Sequence, residues 1–295
     1  MAFDKSELQV IPLWPNGPLR KIADVGPESS YVAPEGLAAG TTMLRNVSEP
    51  TLTVFQPAAG RANGTGVIIC PGGGWRILAW QHEGLDLAAW LIEHGYTAFL
   101  LKYRVMGTPV DDVSFFSQMA AMDGQLAEPV PTAKAPQTLA ELTRNNAKIA
   151  YARDIAADDG NRAVEIVRER AGEWGVDPQK VGMIGFSAGA FLTADVATAP
   201  TGAPLAFAAP IYGGETRGRP VPADAPPLFT LIAQDDRMLF RMVEGLYADW
   251  SMADRPVEFH MFGKGAHGFG MIKQRLPSDR WIDMFEVWMA DQGFA

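Results

Sequence analysis

The sequence lacks the features that mark several classes of protein. Its 295 residues include one cysteine, Cys70, so an internal disulfide is excluded and the fold must depend on packing. No apolar run approaches the ~20 residues that a membrane-spanning helix needs. The formal net charge is −9 and no basic run occurs, so neither nucleic acid nor an anionic membrane is a predicted partner.

No secretory signal peptide is visible at the start of this sequence. The first ten residues, MAFDKSELQV, have neither the basic region nor the apolar region of a signal peptide. This pattern is expected of a cytoplasmic protein. A periplasmic or secreted protein whose leader has been removed would show the same start, so the compartment stays open.

What the sequence does contain is an alternation of strand-type and helix-type segments. This order predicts a mainly parallel central sheet with helices on both faces, in a single α/β domain over residues 1–295. Residues 1–50 are rich in Pro and Gly and are expected to form an extended surface arm with Trp14 as its anchor. The predicted strands are 51–55, 66–70, 97–105, 181–185, 205–212, 228–233 and 257–262, and the predicted helices are 85–94, 161–174, 238–253 and 278–289.

The alternation stops between Met106 and Asp159. A structureless loop of this length is unusual in a compact domain, so residues 106–159 are predicted to form a mostly helical insertion. We expect it to cap the carboxyl edge of the sheet and to form one wall of a pocket. A plain packing role on the outside of the domain, or a dimer contact, is the alternative. The apolar residues on which this prediction depends are Phe115, Phe116, Met119, Met122 and Leu126.

Residues 185–189, Gly-Phe-Ser-Ala-Gly, form a G-x-S-x-G motif between a strand-type run and a helix-type run. This motif is typical of a sharp turn that exposes a nucleophilic serine, here Ser187, with glycines where a side chain would collide with the backbone. Because the helix is predicted to start at Ala188, the positive end of its dipole would lie beside the serine. The sequence therefore predicts Ser187 as a nucleophile.

A serine hydroxyl needs a base within ~3 Å and a third group that orients the base. His267 is the preferred base, because it lies in a glycine-rich loop directly after a strand, where active sites of parallel sheets assemble. His94 is expected at a helix end and His260 inside a strand. His82 precedes a helix and is expected to cap it or to shape the pocket.

Two adjacent carboxylates, Asp235 and Asp236, follow the strand at 228–233 and come between the serine and the histidine in the chain. Either could orient the base, and the residues alone leave the choice open. A developing oxyanion also needs donors. The N–H of Ala188 and the glycines at 72–74 are the candidates, since glycines let N–H groups turn toward an anion.

These segments resemble the α/β-hydrolases, and within them the bacterial acetylesterases and acetyl-xylan-esterase-like enzymes of the hormone-sensitive-lipase-like branch. The resemblance implies Ser187 as nucleophile, His267 as base and Asp236, rather than Asp235, as the acid. It also implies an oxyanion hole. The segments that carry the resemblance are residues 11–17, 69–75, 82–105, 167–190, 234–238 and 265–270, and the residues implied for the oxyanion hole are Gly73, Gly74 and Ala188.

The function that follows is a serine carboxylesterase that hydrolyses short-chain acyl esters through an acyl-enzyme. Acetylated carbohydrate as substrate class comes from the resemblance alone. A peptidase or other acyl hydrolase, and a non-catalytic binding protein, are the alternatives. No metal ligand pattern is present, so neither metal nor organic cofactor is predicted, and the oligomeric state is not predicted. Residues expected to line the substrate pocket are Trp75, His82, Phe115 and Phe116.

Overall fold

Apolar runs bounded by Gly and Pro form the centre of a large sheet. The computed structural model describes residues 8–127, 138–143, 145–200 and 202–295. Within them, eight strands form this sheet. Their spatial order is β1 (Gln9–Pro12), β4 (Thr51–Phe55), β7 (Thr97–Lys102), β5 (Gly66–Cys70), β8 (Val181–Phe186), β9 (Ala208–Ile211), β10 (Leu228–Ala233) and β11 (Val257–Phe262).

The sheet is parallel from β7 to β11 and antiparallel at β1 and β4. Every residue of β5, β8 and β10 is buried, as continuous apolar strands covered on both faces should be. The predicted mainly parallel α/β architecture is therefore confirmed. Strand 97–105 was predicted three residues too long, because the pairing of β7 ends at Lys102.

Helices cover both faces of the sheet. No helix among the described ranges has the length and apolar content to cross a membrane. The α-helices are α1 (Asp86–Glu93), α2 (Asp112–Ala127), α3 (Leu139–Leu142), α4 (Ala147–Glu169), α5 (Ala188–Ala197), α6 (Phe240–Met252) and α7 (Trp281–Asp291), with a π-helical turn at Gln81–Leu85 and 3-10 turns at Ala171–Trp174 and Pro277–Arg280.

Helix α4 corrects the predicted limits of the insertion. It starts at Ala147, fourteen residues before the predicted helix start at Asn161, and its first half is buried at Ile149, Ala152 and Ile155. The side chain of Asn146 accepts hydrogen bonds from the N–H groups of the first turn and caps the helix. Residues 147–159 therefore belong to a helix that packs on α5 and the sheet.

The first half of the predicted insertion packs on a second sheet that the sequence did not predict. This three-stranded sheet consists of β2 (Ser29–Val32), β3 (Thr42–Arg45) and β6 (Ile77–Leu78), so the predicted surface arm is partly sheet. The Phe115 side chain of α2 is fully buried in a small apolar cluster, where it packs with Met43 and Ile77 of this sheet. Residues 128–137 and 144 of the predicted insertion lie outside the described residues.

The amino-terminal arm is tied to the domain by a buried carboxylate. Asp159 of α4 is fully buried and accepts a hydrogen bond of 2.7 Å from Trp14 Nε1. Arg104, which follows β7, also pairs with it at 2.6 Å through Nη2. Trp14 thus serves as the predicted anchor. The Asp159 carboxylate thus joins helix α4 to the amino-terminal arm and to the segment after β7. Its loss would leave the buried charge of Arg104 without a partner carboxylate.

Candidate active site

The G-x-S-x-G segment folds as the predicted strand–turn–helix. β8 ends at Phe186, α5 begins at Ala188, and Ser187 between them has φ 50° and ψ −115°. A Cβ on Gly185 would lie 2.1 Å from the Gly189 oxygen, and one on Gly189 would lie 1.9 Å from the Cys70 oxygen. The tight turn therefore requires both glycines. The strained φ of Ser187 holds its hydroxyl at the carboxyl end of the sheet.

Ser187, His267 and Asp236 form a continuous chain of hydrogen bonds. Ser187 Oγ lies 2.8 Å from His267 Nε2, and His267 Nδ1 lies 2.6 Å from Asp236 Oδ2. Since an ionised carboxylate only accepts, Nδ1 carries the proton, and Nε2 is free to accept the serine proton. Asp236 is held in turn by the N–H groups of Met238 and Leu239, which bind its second oxygen.

The electrostatics of the site favour the protonated form of His267. Burial by itself lowers its pKa, but the charge of Asp236, the hydrogen bond to it and then the charge of Glu83 outweigh burial, so the pKa is raised above 6.5. The imidazole can therefore hold the proton that it would take from Ser187, since two carboxylates stabilise the cation.

The adjacent carboxylate, Asp235, does not contact the imidazole. Its Oδ1 accepts hydrogen bonds from the N–H of Gly265 at 3.1 Å and of Ala266 at 2.8 Å. Those two residues directly precede His267, and Ala266 has a positive φ of 57°. Asp235 therefore fixes the backbone of residues 263–270, the histidine loop, and Asp236 fixes the His267 ring.

In the glycine loop after β5, residues 72–74, the carbonyls of Gly72 and Gly73 accept hydrogen bonds from the segment that follows. The Gly72 oxygen accepts from Ala79 N at 3.0 Å, and the Gly73 oxygen accepts from Ile77 N at 3.1 Å. Because C=O and N–H of a trans peptide point in opposite directions, the N–H groups of Gly73 and Gly74 face the other way. This folding requires φ 130° at Gly73, a conformation open to glycine.

Three backbone N–H groups near Ser187 have no acceptor within the described ranges. In the part of the chain that the structure describes, no group accepts a hydrogen bond from the N–H of Gly73, Gly74 or Ala188. Ala188 N lies at the first turn of α5, where the helix itself supplies no partner. A Cβ on Gly72 would lie 2.9 Å from Ser187 Cβ, so the loop and the serine are in direct contact. These donors can serve as an oxyanion hole.

Three of the four residues expected to line the pocket have buried side chains. Trp75 is 4% exposed and packs on Phe191, His82 is 2% exposed, and Phe115 is fully buried under the small sheet. Phe116 is half-buried beside Tyr31 and keeps an accessible surface.

The other histidines have structural partners. His82 Nδ1 lies 3.2 Å from Thr41 Oγ1, and the His82 carbonyl accepts from Met271 N, so this residue joins the small sheet to the histidine loop. His94 stacks on Trp90 at the end of α1. His260 lies 2.7 Å from Glu258 on β11. Only His267 contacts Ser187 among the histidines, all of which lie in the described ranges.

Two residues of the site were not found from the sequence. Glu83 and Tyr212 are buried and joined by a hydrogen bond of 2.6 Å across 129 residues of chain. The only local signal was an acidic residue in an apolar turn, which is uninformative until the partner is known. For metals, no group of three or more His, Cys, Asp or Glu side chains within the described ranges could hold an ion.

The parallel sheet, the nucleophile elbow and the Ser–His–Asp chain define an α/β-hydrolase. Residues 66–283 match the family described as the Dienelactone hydrolase family. This match covers well over half of the chain, which therefore belongs to the dienelactone hydrolase family. The predicted α/β-hydrolase fold and the prediction of a hydrolase are confirmed by this membership.

Known proteins similar to the chain include esterases. An acetylxylan esterase of Xylanibacter ruminicola is 25% identical over 158 residues, which make up 54% of this chain and 24% of the relative. The chain thus spans about a quarter of the length of that relative.

Solved structures agree on the fold. An acetyl ester-xyloside bifunctional hydrolase of Caldicellulosiruptor lactoaceticus has a TM-score of 0.64 and 20% identity, with 97% of each chain covered. An esterase of Thermogutta terrifontis with propionate bound has a TM-score of 0.57 and 19% identity, with 84% of this chain and 91% of the other covered.

Proposed function

We propose that the protein is a serine carboxylesterase that hydrolyses acetyl and other short-chain acyl esters through an acyl-enzyme. The observation that carries this proposal is the hydrogen-bonded chain from Ser187 Oγ through His267 to Asp236, at the apex of a strained turn. Each member has the contact that its role needs, with the serine on the base and the base on the carboxylate.

In the acylation step, Ser187 Oγ attacks the carbonyl carbon of the ester while its proton moves to His267 Nε2. The carbonyl oxygen becomes an oxyanion, and the free N–H groups of Ala188 and of the glycine loop are placed to stabilise it. When the bond to the alcohol oxygen breaks, His267 gives its proton to the leaving alcohol. Ser187 then carries the acyl group.

In the deacylation step, water takes the place of the alcohol. His267 removes a proton from the water as it attacks the acyl carbon, a second oxyanion forms at the same donors, and the carboxylic acid leaves as Ser187 regains its proton. Asp236 keeps its charge throughout and stabilises the imidazolium in both steps.

The proposed substrates are acetyl esters, including acetylated carbohydrate. Support comes from the similar proteins, one of which is named an acetylxylan esterase and another an acetyl ester-xyloside bifunctional hydrolase. The propionate-bound relative is consistent with a short acyl chain. A peptidase on this fold has no observation in its favour beyond the shared Ser–His–Asp chain.

The test compares the purified protein with Ser187→Ala on three substrates: p-nitrophenyl acetate, acetylated xylo-oligosaccharide and a peptide anilide. Ser251→Ala, which changes an exposed serine of α6, is the matched control. We expect wild type and control to release acetate from the first two substrates, and Ser187→Ala to lose about 10⁴-fold or more in kcat.

Cleavage of the anilide at a rate above that of the esters would replace the esterase with a peptidase. Hydrolysis of p-nitrophenyl acetate without release of acetate from the oligosaccharide would keep the esterase and reject the carbohydrate substrate. A folded wild type that hydrolyses none of them and resists a fluorophosphonate would favour a binding protein.

A further inference from the structure

Glu83 is a buried carboxylate beside the catalytic groups that the mechanism above does not use. It lies in the π-helical turn between the glycine loop and α1 and is 2% exposed. An ionised group is costly to bury unless hydrogen bonds compensate for the lost water. Both oxygens of Glu83 are compensated, and each binds a segment of the active site.

The first oxygen binds the glycine loop. Glu83 Oε2 accepts a hydrogen bond of 2.7 Å from the N–H of Gly72, the residue in contact with Ser187. The Gly72 carbonyl is held on its other side by Ala79 N. With both ends of the residue fixed, the peptide that follows it can present the Gly73 N–H in only one direction. The carboxylate therefore sets the orientation of a candidate oxyanion donor.

The second oxygen binds the histidine loop through a tyrosine. Glu83 Oε1 accepts from the Tyr212 hydroxyl at 2.6 Å, and the hydroxyl oxygen accepts from Gly270 N at 2.9 Å. The Tyr212 ring packs edge-on against His267, with centroids 5.3 Å apart. Burial, followed by the charge of Glu83, raises the pKa of Tyr212 well above 10.0, so the hydroxyl stays protonated and keeps donating.

The charge of Glu83 also acts on the catalytic base. The charged and titratable groups that face His267 are Asp236, Glu83 and Tyr212, and both carboxylates favour the imidazolium. Around Glu83 itself lie His82, whose Nε2 is 3.9 Å from Oε1, and Tyr103, which donates to the Pro71 carbonyl. No arginine or lysine among the described residues pairs with Glu83.

We propose that Glu83 is a positioning residue of the active site. Its carboxylate holds the glycine loop against Ser187 and, through Tyr212, fixes the position of the histidine loop relative to the glycine loop. The oxyanion donors and the base are therefore both positioned by one buried group. This inference rests on the proposed esterase function. It adds a second carboxylate, supplied by a different element, to the one that orients His267.

Two substitutions separate the two effects of the carboxylate. Glu83→Gln keeps the shape but turns one acceptor into a donor, so either Gly72 N–H or the Tyr212 hydroxyl loses its partner and the charge is lost. Glu83→Asp keeps the charge but shortens the reach. We expect both to lower kcat about 10- to 100-fold with KM for p-nitrophenyl acetate nearly unchanged, because the loops that present the reacting groups shift.

The pH dependence distinguishes positioning by this charge from a general loss of structure. In Glu83→Gln the acidic midpoint of kcat/KM moves to lower pH, since one contribution that raises the pKa of His267 is gone. In Glu83→Asp it stays near the wild-type value. Glu93→Gln, which removes an exposed carboxylate at the end of α1, is the matched control and leaves rate and midpoint unchanged.

A folded Glu83→Gln protein with wild-type kcat and midpoint would overturn the inference. If this variant does not fold, Tyr212→Phe decides instead, because it removes only the hydroxyl between Glu83 and Gly270. A severalfold lower kcat supports the inference, and a wild-type rate overturns it. An NMR titration of His267 in wild type and Glu83→Gln needs no substrate. Failure of wild type to hydrolyse any ester would overturn the proposed function, whereas an unchanged titration together with a wild-type kcat in Glu83→Gln would overturn only the role of Glu83.

Discussion

Asp235 and Asp236 are neighbours in the chain, but their carboxylates hold different parts of the histidine loop. Asp236 binds the His267 ring at 2.6 Å, and Asp235 binds the backbone N–H groups of Gly265 and Ala266. The side chains diverge because β10 ends at Ala233 and the turn that follows directs Asp236 inward and leaves Asp235 exposed. One carboxylate therefore orients the imidazole, and the other shapes the loop that carries it.

Asparagine at these two positions should give losses of very different size. Asp236→Asn removes the acceptor that sets the tautomer of His267, so we expect kcat to fall about 10⁴-fold. Asp235→Asn keeps an oxygen that can accept from the loop, so a loss of about tenfold or less is expected. Steady-state hydrolysis of p-nitrophenyl acetate by both variants measures this. A larger loss in Asp235→Asn would reverse the two roles.

The pH dependence of the wild-type enzyme should follow the raised pKa of His267. The base must be neutral to accept the serine proton. Burial lowers this pKa, but Asp236 and Glu83 raise it by more, so the pKa of His267 lies above that of a free imidazole. The imidazole therefore stays protonated to a higher pH than a free imidazole does, and kcat/KM should rise with pH through a midpoint above that of a free imidazole. A midpoint below that of a free imidazole would contradict the electrostatic account.

Phe115→Ala should affect stability and not acyl-chain preference. The ring is fully buried under the small sheet with Tyr31 and Arg45 against it, so its loss leaves a cavity. We expect the free energy of unfolding to fall by about 3 kcal/mol. Val113→Ala, at a position 83% exposed on the same helix, is the control and should change stability by less than about 0.5 kcal/mol.

Denaturant unfolding measures the stability of both variants, and rates on acetyl, butyryl and octanoyl esters measure preference. A changed ratio of these rates in a stable Phe115→Ala protein would indicate that Phe115 lines the substrate pocket.

Asp159→Asn should destabilise the fold more than the same change at its neighbour. The Asp159 carboxylate is fully buried and compensates the charge of Arg104, so its neutralisation leaves a buried cation and should cost about 3 kcal/mol. Asp158 pairs with Arg20 at the half-exposed surface, and Asp158→Asn should cost less than about 1 kcal/mol. Chemical denaturation of both proteins gives the difference. Equal losses would show that burial of the ion pair is unimportant.

The strands at the centre of the sheet could be predicted because their signal is local. Residues 66–70 and 228–233 are continuous apolar runs between turn residues, and the structure assigns strands to the same ranges. The small sheet could not be found in this way. Its strands have two to four residues and mixed polarity, and they are defined by pairing with each other across the chain.

The start of α4 was missed for a related reason. Its first half is lined by small alanines and by charged residues such as Arg153 and Asp159, which suggest a solvent-exposed segment. These charges are buried because Asp195 and Arg104 neutralise them from other elements. The catalytic motifs could be predicted from the sequence because each is defined by residue types and spacing within a short stretch of chain. Glu83 was not, because its role exists only through contacts with Gly72 and Tyr212.

The most direct test of the central claim is to locate the acyl group during turnover. The protein is mixed with p-nitrophenyl acetate, quenched in acid within the first turnovers, and examined by intact mass and peptide mapping. We expect the mass of one acetyl group on the peptide that contains Ser187, and its absence in Ser187→Ala. Acetylation of a different residue, or undiminished ester hydrolysis by Ser187→Ala, would contradict the account.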